Sequence, residues 1–159
     1  MELKDEIIIK ASQAVVYAAL NDPEILKQCI PGCEELVKHS DTELEAKVVL
    51  KIGPVKAKFS GNVTLSPDAP PERFSLTGKG NGGAAGYAKG GAVVELEKHL
   101  DGTLLHYTAT ADIGGKLAQL GSRLIQGTSK KLATKFFKSF ADLVGEDDDD
   151  ASNPVNFGR

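Results

Sequence analysis

The glycine-rich passage at residues 78–91 is the first candidate for chemistry in this 159-residue sequence. Residues Gly78–Gly83 match the pattern G-x-G-x-x-G, whose backbone amides can hold the phosphates of a dinucleotide. That chemistry requires a strand before the pattern and a helix after it, because the amides must converge at a helix N-terminus. Residues 85–97, which follow, are typical of a strand. We therefore interpret the passage as a bent strand with bulges, in which small residues leave space on the concave face of a sheet.

The two cysteines and three histidines are the side chains that a metal ion would favour. Cys29 and Cys33 are close in sequence, but a zinc site needs about four ligands. His39, His99 and His106 lie on separate predicted strands with no paired spacing, so we expect no metal site. Nothing near the cysteines in sequence would lower a thiol pKa, and we interpret both as small apolar side chains in a loop at a cavity mouth.

Charge and hydropathy exclude several classes of protein. The net charge is −3 at pH 7, but residues 146–159 hold five acids and one base, so residues 1–145 are close to neutral. A neutral body attracts nucleic acid weakly, and we expect no nucleic-acid partner. No apolar run approaches the ~18 residues that span a bilayer, and residues 1–6 are too polar for a signal peptide. These features and the low cysteine content predict a cytoplasmic protein with one domain at 1–145 and a disordered acidic tail at 146–159.

The N-terminal part of the sequence predicts a strand and two short helices. The strand covers residues 3–10 and ends in a β-branched run. Ser12 is a typical N-cap for the first helix. Asp22 is the predicted cap of the second helix, with Pro23 at its first position.

Residues 34–113 have the pattern of an antiparallel meander. Apolar and polar residues alternate over 44–52 and again over 55–65, which is typical of half-buried strands. Residues 66–71 contain three prolines and are expected to form a longer loop. Short turns between successive strands favour an antiparallel sheet over a doubly wound parallel one.

Residues 116–144 are predicted to form one long amphipathic helix of about 43 Å at ~1.5 Å per residue. The apolar side comprises Leu117, Gly121, Leu124, Ile125, Thr128, Leu132, Phe136 and Leu143. The opposite side is basic, with Lys116, Arg123, Lys130, Lys131 and Lys138. Leu120 and Phe137 are expected beside these cations, so Lys116, Leu120, Arg123, Lys130, Phe137 and Lys138 form a candidate surface for a partner or a membrane.

The predicted fold is α+β, with a curved antiparallel sheet of about seven strands around the long C-terminal helix, the helix-grip arrangement. A curved sheet and one straight helix cannot fill all the space between them, so we expect a cavity. Its predicted lining combines loop, strand and helix residues: Ile30, Phe59, Phe74, Ala88, Tyr107, Leu117, Leu124, Ile125, Thr128, Leu132 and Phe136. Such a lining would bind a hydrophobic small molecule.

Three blocks of the sequence resemble the CoxG family of carbon monoxide dehydrogenase subunits. They are the pair Leu20–Leu26 and Cys29–Glu34, the glycine run Gly78–Gly91, and Gly114–Leu124, and the resemblance extends over residues 1–144. This family belongs to the START-like, or polyketide cyclase-like, superfamily of helix-grip proteins. The resemblance therefore implies the same fold as the periodicity.

The resemblance also implies an accessory, non-catalytic protein that serves a molybdenum hydroxylase of the carbon monoxide dehydrogenase type. No covalently bound cofactor is implied, and an isoprenoid quinone is the implied ligand of the cavity. Members of the family are implicated in bringing the enzyme to the cytoplasmic membrane, and that attachment is associated with a C-terminal extension. Asp147–Asp150 would be repelled by an anionic leaflet, so we expect membrane contact to be transient and the protein to be at most peripheral to the membrane.

Two other functions remain open at this point. The first is an enzyme, a cyclase or hydrolase, that acts on a substrate in the cavity; Tyr107 and Thr128 are the polar candidates, and no G-x-S-x-G elbow occurs. The second is a structural assembly factor with a filled core and no ligand.

Overall fold

Residues 1–145, which the computed structural model describes, form seven β-strands, three α-helices and two 3₁₀ helices. The strands are β1 (Glu2–Ile9), β2 (Cys33–Lys38), β3 (Glu43–Ile52), β4 (Val55–Ala69), β5 (Arg73–Asn81), β6 (Tyr87–His99) and β7 (Gly102–Gly114). The α-helices are α1 (Gln13–Leu20), α2 (Pro23–Cys29) and α3 (Ser122–Val144), and the 3₁₀ helices are Gly83–Ala85 and Gly115–Leu120. The predicted disordered tail at 146–159 lies outside the described residues.

The strands form one antiparallel sheet in the order β1-β7-β6-β5-β4-β3-β2. Successive strands from β2 to β7 are neighbours because short turns join them, and β1 pairs with β7 at the far edge. Helix α3 packs across the sheet, and α1 and α2 lie beside its C-terminal half. This arrangement confirms the predicted α+β helix-grip fold.

The two short helices begin where the sequence predicted. The Ser12 hydroxyl oxygen accepts a hydrogen bond from the Val15 backbone N–H at 3.3 Å. The Asp22 carboxylate accepts one from the Glu24 N–H at 2.9 Å, and Pro23 occupies the first turn of α2. These caps satisfy N–H groups that have no partner within their helices.

The long helix predicted for 116–144 is divided into two pieces at Gly121. The 3₁₀ helix Gly115–Leu120 precedes this residue, and α3 starts after it. Gly121 has φ +94, which interrupts a right-handed helix and which residues with a side chain rarely adopt. Helix α3 therefore has 23 residues and a length of about 34 Å rather than about 43 Å.

Two further expectations are wrong. Strand β4 continues through residues 66–68 to Ala69, so the predicted loop is shorter and centres on the two prolines that follow. The glycine-rich passage is a hairpin of β5 and β6 joined by the 3₁₀ turn Gly83–Ala85, rather than one bent strand. A strand follows the G-x-G-x-x-G match, so the helix that dinucleotide binding requires is not in that position.

The interior holds two separate hydrophobic clusters. The larger one joins α1, α2, the middle of the sheet and the C-terminal half of α3, and Ile9, Leu105 and Phe140 are fully buried in it. The smaller one is built on Phe59, Leu117 and Ile125, at the other ends of β4, β7 and α3. The helical pattern had predicted Leu143 on the inner side, but Leu143 is 46% exposed and the buried residue is Phe140, which continues the series from Leu132 and Phe136 at four-residue spacing.

Candidate functional site

A row of four small residues crosses the concave face of the sheet between the two clusters. In the register of the sheet Ala46 pairs with Gly61, Gly61 with Gly80, and Gly80 with Ala88, so that the row spans β3, β4, β5 and β6. Side chains on one face of adjacent strands normally meet one another and fill the space above the sheet. Here they are hydrogens and methyl groups, so the small-residue row (Ala46, Gly61, Gly80 and Ala88) leaves that space open.

A cavity of about 400 Å³ lies between the small-residue row and helix α3. All four members of the row line it. A completely filled interior, which the alternative of a structural assembly factor assumed, is therefore not what this fold contains. The volume is within the range of ~300–1,000 Å³ that is typical of small-molecule sites.

Helix α3 forms the wall opposite the sheet. Ile125, Thr128, Ser129 and Leu132 follow one another at the i, i+3, i+4 and i+7 positions, which share one helix face. Leu117, from the preceding 3₁₀ helix, completes this wall and is 2% exposed. The break at Gly121 thus places both segments against the same space.

Strands β3, β4 and β7 form the side walls. Their lining residues are Val48, Leu50, Ile52, Phe59, Val63 and Ile113. A Cβ atom added to Gly82 would lie 2.5 Å from the ring of Phe59, so a glycine is needed where the β5–β6 hairpin approaches this side chain. The hairpin therefore supports the aromatic end of the cavity.

The loop after α2 closes another side of the cavity. Ile30 and Pro31 line it, and the Gly32 carbonyl oxygen accepts a hydrogen bond from the Val49 N–H at 2.9 Å. Cys29 is 2% exposed and belongs to the larger cluster. Cys33 is half-buried, and its Sγ donates to the Glu35 carbonyl at 3.4 Å.

The chemistry of the cysteines follows from their burial. Desolvation raises the pKa of the Cys29 thiol, and it raises that of Cys33 despite the opposing effect of Lys27. Both thiols are therefore protonated at neutral pH. Within residues 1–145, no group of three or more His, Cys, Asp and Glu side chains has the arrangement of a metal site.

Seven of the predicted lining residues lie on the wall of this cavity: Ile30, Phe59, Ala88, Leu117, Ile125, Thr128 and Leu132. The remaining four lie elsewhere. Phe74 is buried in the larger cluster with its ring edge against Tyr17, and Phe136 packs there against Phe140. Leu124 is 37% exposed and approaches Gly53 at the β3–β4 turn, because it lies on a flank of α3 rather than on its inner face.

Tyr107 is the fourth residue outside the cavity. Its ring stacks on Phe137 at a centroid distance of 4.7 Å in a separate groove between β1 and α3. Burial raises the pKa of Tyr107, and the neighbouring Asp5 carboxylate adds to this effect. Tyr107 and Thr128, the polar pair of the enzyme alternative, therefore do not line one site.

The predicted surface on α3 is only partly as expected. Lys116, Arg123, Lys130 and Lys138 are exposed, and Lys138 lies 3.5 Å from the Asp142 carboxylate. The sequence contains no acidic residue from 113 to 141, so this side of the molecule is basic.

The two apolar members of that surface are not exposed. Leu120 packs against the smaller cluster because the 3₁₀ segment turns it inward. Phe137 is held in the stack with Tyr107. Of the helices in residues 1–145, none combines the length and the apolar character that crossing a bilayer demands.

Sequence reasoning missed ten lining residues: Pro31, Ala46, Val48, Leu50, Ile52, Gly61, Val63, Gly80, Ile113 and Ser129. The alternation over 44–52 and 55–65 already placed the β3 and β4 members on one face of the sheet. Cross-strand register, which alternation does not fix, was needed to bring Gly80 into line with Ala88.

Comparison with known proteins places the chain in a family. The family model for CoxG, a subunit of carbon monoxide dehydrogenase, matches residues 6–145. A crystal structure of a conserved protein from Geobacillus kaustophilus is similar over 91% of this chain and 95% of that one, with 30% identity and a TM-score of 0.84. No curated protein matches the chain in sequence.

More distant structures share the fold alone. A protein from Chromobacterium violaceum is 16% identical with a TM-score of 0.70, over 92% of this chain and 99% of that one. A protein from Thermus thermophilus is 18% identical with a TM-score of 0.69, over 91% of this chain and 97% of that one.

Proposed function

This chain belongs to the CoxG family of carbon monoxide dehydrogenase subunits, and from this premise we propose that it is a non-catalytic accessory protein that holds a hydrophobic small molecule in its cavity. The proposed ligand is quinone-like, and the proposed partner is a molybdenum hydroxylase of the carbon monoxide dehydrogenase type. The protein would work in the cytoplasm, with at most transient contact with the membrane.

The observation that carries this proposal is the apolar cavity above the small-residue row. Its wall contains no Asp, Glu, Lys, Arg or His side chain. Apolar surface removed from water contributes about 25 cal/mol per Å², so a ring system enclosed between the sheet and α3 would be bound chiefly by this term.

The size of the cavity supports a ring with a short substituent. At about 400 Å³ it lies toward the small end of known ligand sites. A long isoprenoid tail would exceed this volume and would have to leave through the side that is open to solvent. Carriage of an oxidised ring fits a family named for a dehydrogenase, because a dehydrogenase must pass its electrons to an acceptor.

The basic side of α3 supports the proposed contact with a partner. Its cations, Lys116, Arg123 and Lys130, lie on the helix that also forms the cavity wall. A complementary acidic surface on a hydroxylase would be attracted to them and would be brought close to the ligand.

Ligand content after native purification tests the proposal. We expect mass spectrometry of an organic extract of the wild-type protein to detect a lipophilic molecule. The Leu132→Trp variant should lose most of it, because the larger side chain enters the cavity, whereas Lys130→Ala should retain it because Lys130 is exposed.

Leu124→Trp is the structural control for this experiment. Leu124 lies outside the cavity on the same helix, so this variant should retain the ligand. Equal ligand content in Leu132→Trp and wild type, with the fold intact by circular dichroism, would contradict carriage in this cavity.

A further inference from the structure

Two neighbouring hydroxyl groups are the hydrogen-bonding side chains of the cavity wall. Thr128 and Ser129 on α3 line the cavity together with side chains that are otherwise aliphatic, phenylalanine, glycine or proline. Both residues are half-buried. The wall thus places its polar side-chain atoms at one position.

Neither hydroxyl has a hydrogen-bond partner within residues 1–145. Serine and threonine in a helix can bond the carbonyl four residues earlier, but neither residue does so here. By contrast, the buried Thr103 hydroxyl donates to the Ala11 carbonyl oxygen at 2.7 Å. Polar groups that face an apolar interior are normally paired, so these two donors are available to a ligand.

The geometry of α3 directs both hydroxyls toward the small-residue row. Thr128 and Ser129 are three and four residues after Ile125, and they flank the line from Ile125 to Leu132. The row opposite them carries no side chain larger than a methyl group. A flat ring that lies on the row would present its edge to the two hydroxyls.

The absence of ionisable side chains on the described wall restricts the charge of that ring. Lys130 and Lys131, which follow the hydroxyls in sequence, are exposed on the other side of α3. An ionised group inside the cavity would lose its hydration without gaining a partner of opposite charge. The wall therefore disfavours carboxylates such as free fatty acids.

We propose that Thr128 and Ser129 are the specificity-determining residues of the cavity and that they donate hydrogen bonds to a carbonyl oxygen of an uncharged, planar ring. This inference rests on the proposed function, since it requires that the cavity hold a ligand. It adds the chemical class of the polar group and the two side chains that recognise it.

Binding of three probes to the full-length protein tests this assignment. The probes are 2,3-dimethyl-1,4-naphthoquinone, whose substituted ring resists addition of thiols, the hydrocarbon 2,3-dimethylnaphthalene, and the anion 2-naphthoate. Dissociation constants are measured by equilibrium dialysis at pH 7. Thr128→Val and Ser129→Ala remove one hydroxyl each, and the matched controls Thr134→Val and Ser139→Ala make the same changes at exposed positions of α3.

We expect each cavity variant to weaken quinone binding about three- to tenfold, the worth of one neutral hydrogen bond. Hydrocarbon binding should change less than about twofold, because it makes no such bond. The controls should leave both probes unchanged, and Thr128→Ser, which keeps the hydroxyl, should restore quinone binding. Wild type should bind 2-naphthoate at least about tenfold more weakly than the quinone.

The outcomes separate this inference from the proposed function. If wild type binds quinone and hydrocarbon but the double variant Thr128→Val/Ser129→Ala binds the quinone equally well, the hydroxyl assignment is wrong and the cavity remains a ligand site. If 2-naphthoate binds as tightly as the quinone, the requirement for an uncharged ligand is wrong. If wild type binds neither neutral probe, the proposed function and this inference both fail.

Discussion

Gly80 gives direct access to the volume of the cavity. A Cβ atom added at this position would meet no heavy atom within 4 Å, and the residue lies in regular strand β5 at the centre of the small-residue row. A side chain introduced here would extend into the open space rather than into packed atoms. The series Gly80→Ala, Gly80→Val and Gly80→Leu adds one, three and four carbon atoms.

The series should raise the free energy of unfolding while it removes the ligand. Burial contributes about 0.8 kcal/mol per methylene, and ordering a leucine side chain costs about 0.5–1 kcal/mol. Leucine should therefore exceed alanine by about 1.5–2 kcal/mol, which is about 5–7 °C in melting temperature for a domain of this size. Gly80→Ala is the matched control, because it removes the flexibility of glycine and fills little of the cavity.

Urea and thermal unfolding followed by far-ultraviolet circular dichroism measure the stability of each variant after removal of ligand with a hydrophobic resin. Equilibrium dialysis with 2,3-dimethyl-1,4-naphthoquinone measures binding, which should fall from alanine to leucine. If Gly80→Leu is less stable than Gly80→Ala by more than about 1 kcal/mol, the leucine is overpacked and the space inferred above the row is wrong. If Gly80→Leu is stable and binds the quinone like wild type, the ligand lies elsewhere.

Three other results are expected. Phe140→Ala should lower the free energy of unfolding by about 3–5 kcal/mol in urea titrations, because the side chain is fully buried; a loss below about 1 kcal/mol would contradict its place in the larger cluster. The thiols of Cys29 and Cys33 should react with iodoacetamide more slowly at pH 8 than free cysteine does, since burial raises both pKa values and lowers the thiolate fraction; rates equal to that of free cysteine would refute this. Co-sedimentation with anionic vesicles should be weak and salt-sensitive, and removal of residues 146–159 should strengthen it because the tail is acidic; strong binding at physiological salt by the intact protein would count against transient contact.

Local signals in the sequence were sufficient for most of the fold. Capping by Ser12 and Asp22 and alternation along β3 and β4 each act over a few residues, and each led to the observed element. The order of the strands followed because hairpins leave few topological choices. The helix break at Gly121 was missed, since a glycine within an apolar helical pattern is compatible with both a continuous and a divided helix.

The site was less accessible to the same reasoning. The inner residues of α3 were found from periodicity, but Leu124 and Leu143 were assigned to the inner side although they lie toward its flank and end. Aromatic size suggested Phe74 and Tyr107 as lining residues, whereas large rings pack into the clusters and the cavity forms where side chains are small. A cavity depends on what is missing from several strands at once, and only their register reveals it.

The division of the interior into two clusters has a consequence for the passage of a ligand. The smaller cluster, built on Phe59, Leu117 and Ile125, holds the 3₁₀ segment and the start of α3 against the sheet with far fewer buried contacts than hold the rest. Segments with few buried contacts open locally at a small cost, without unfolding of the whole domain. We expect excursions of Gly115–Leu120 on the microsecond to millisecond timescale to admit and release the ligand, so that the rate of exchange depends on the weak end of the molecule and its lifetime on the strong one.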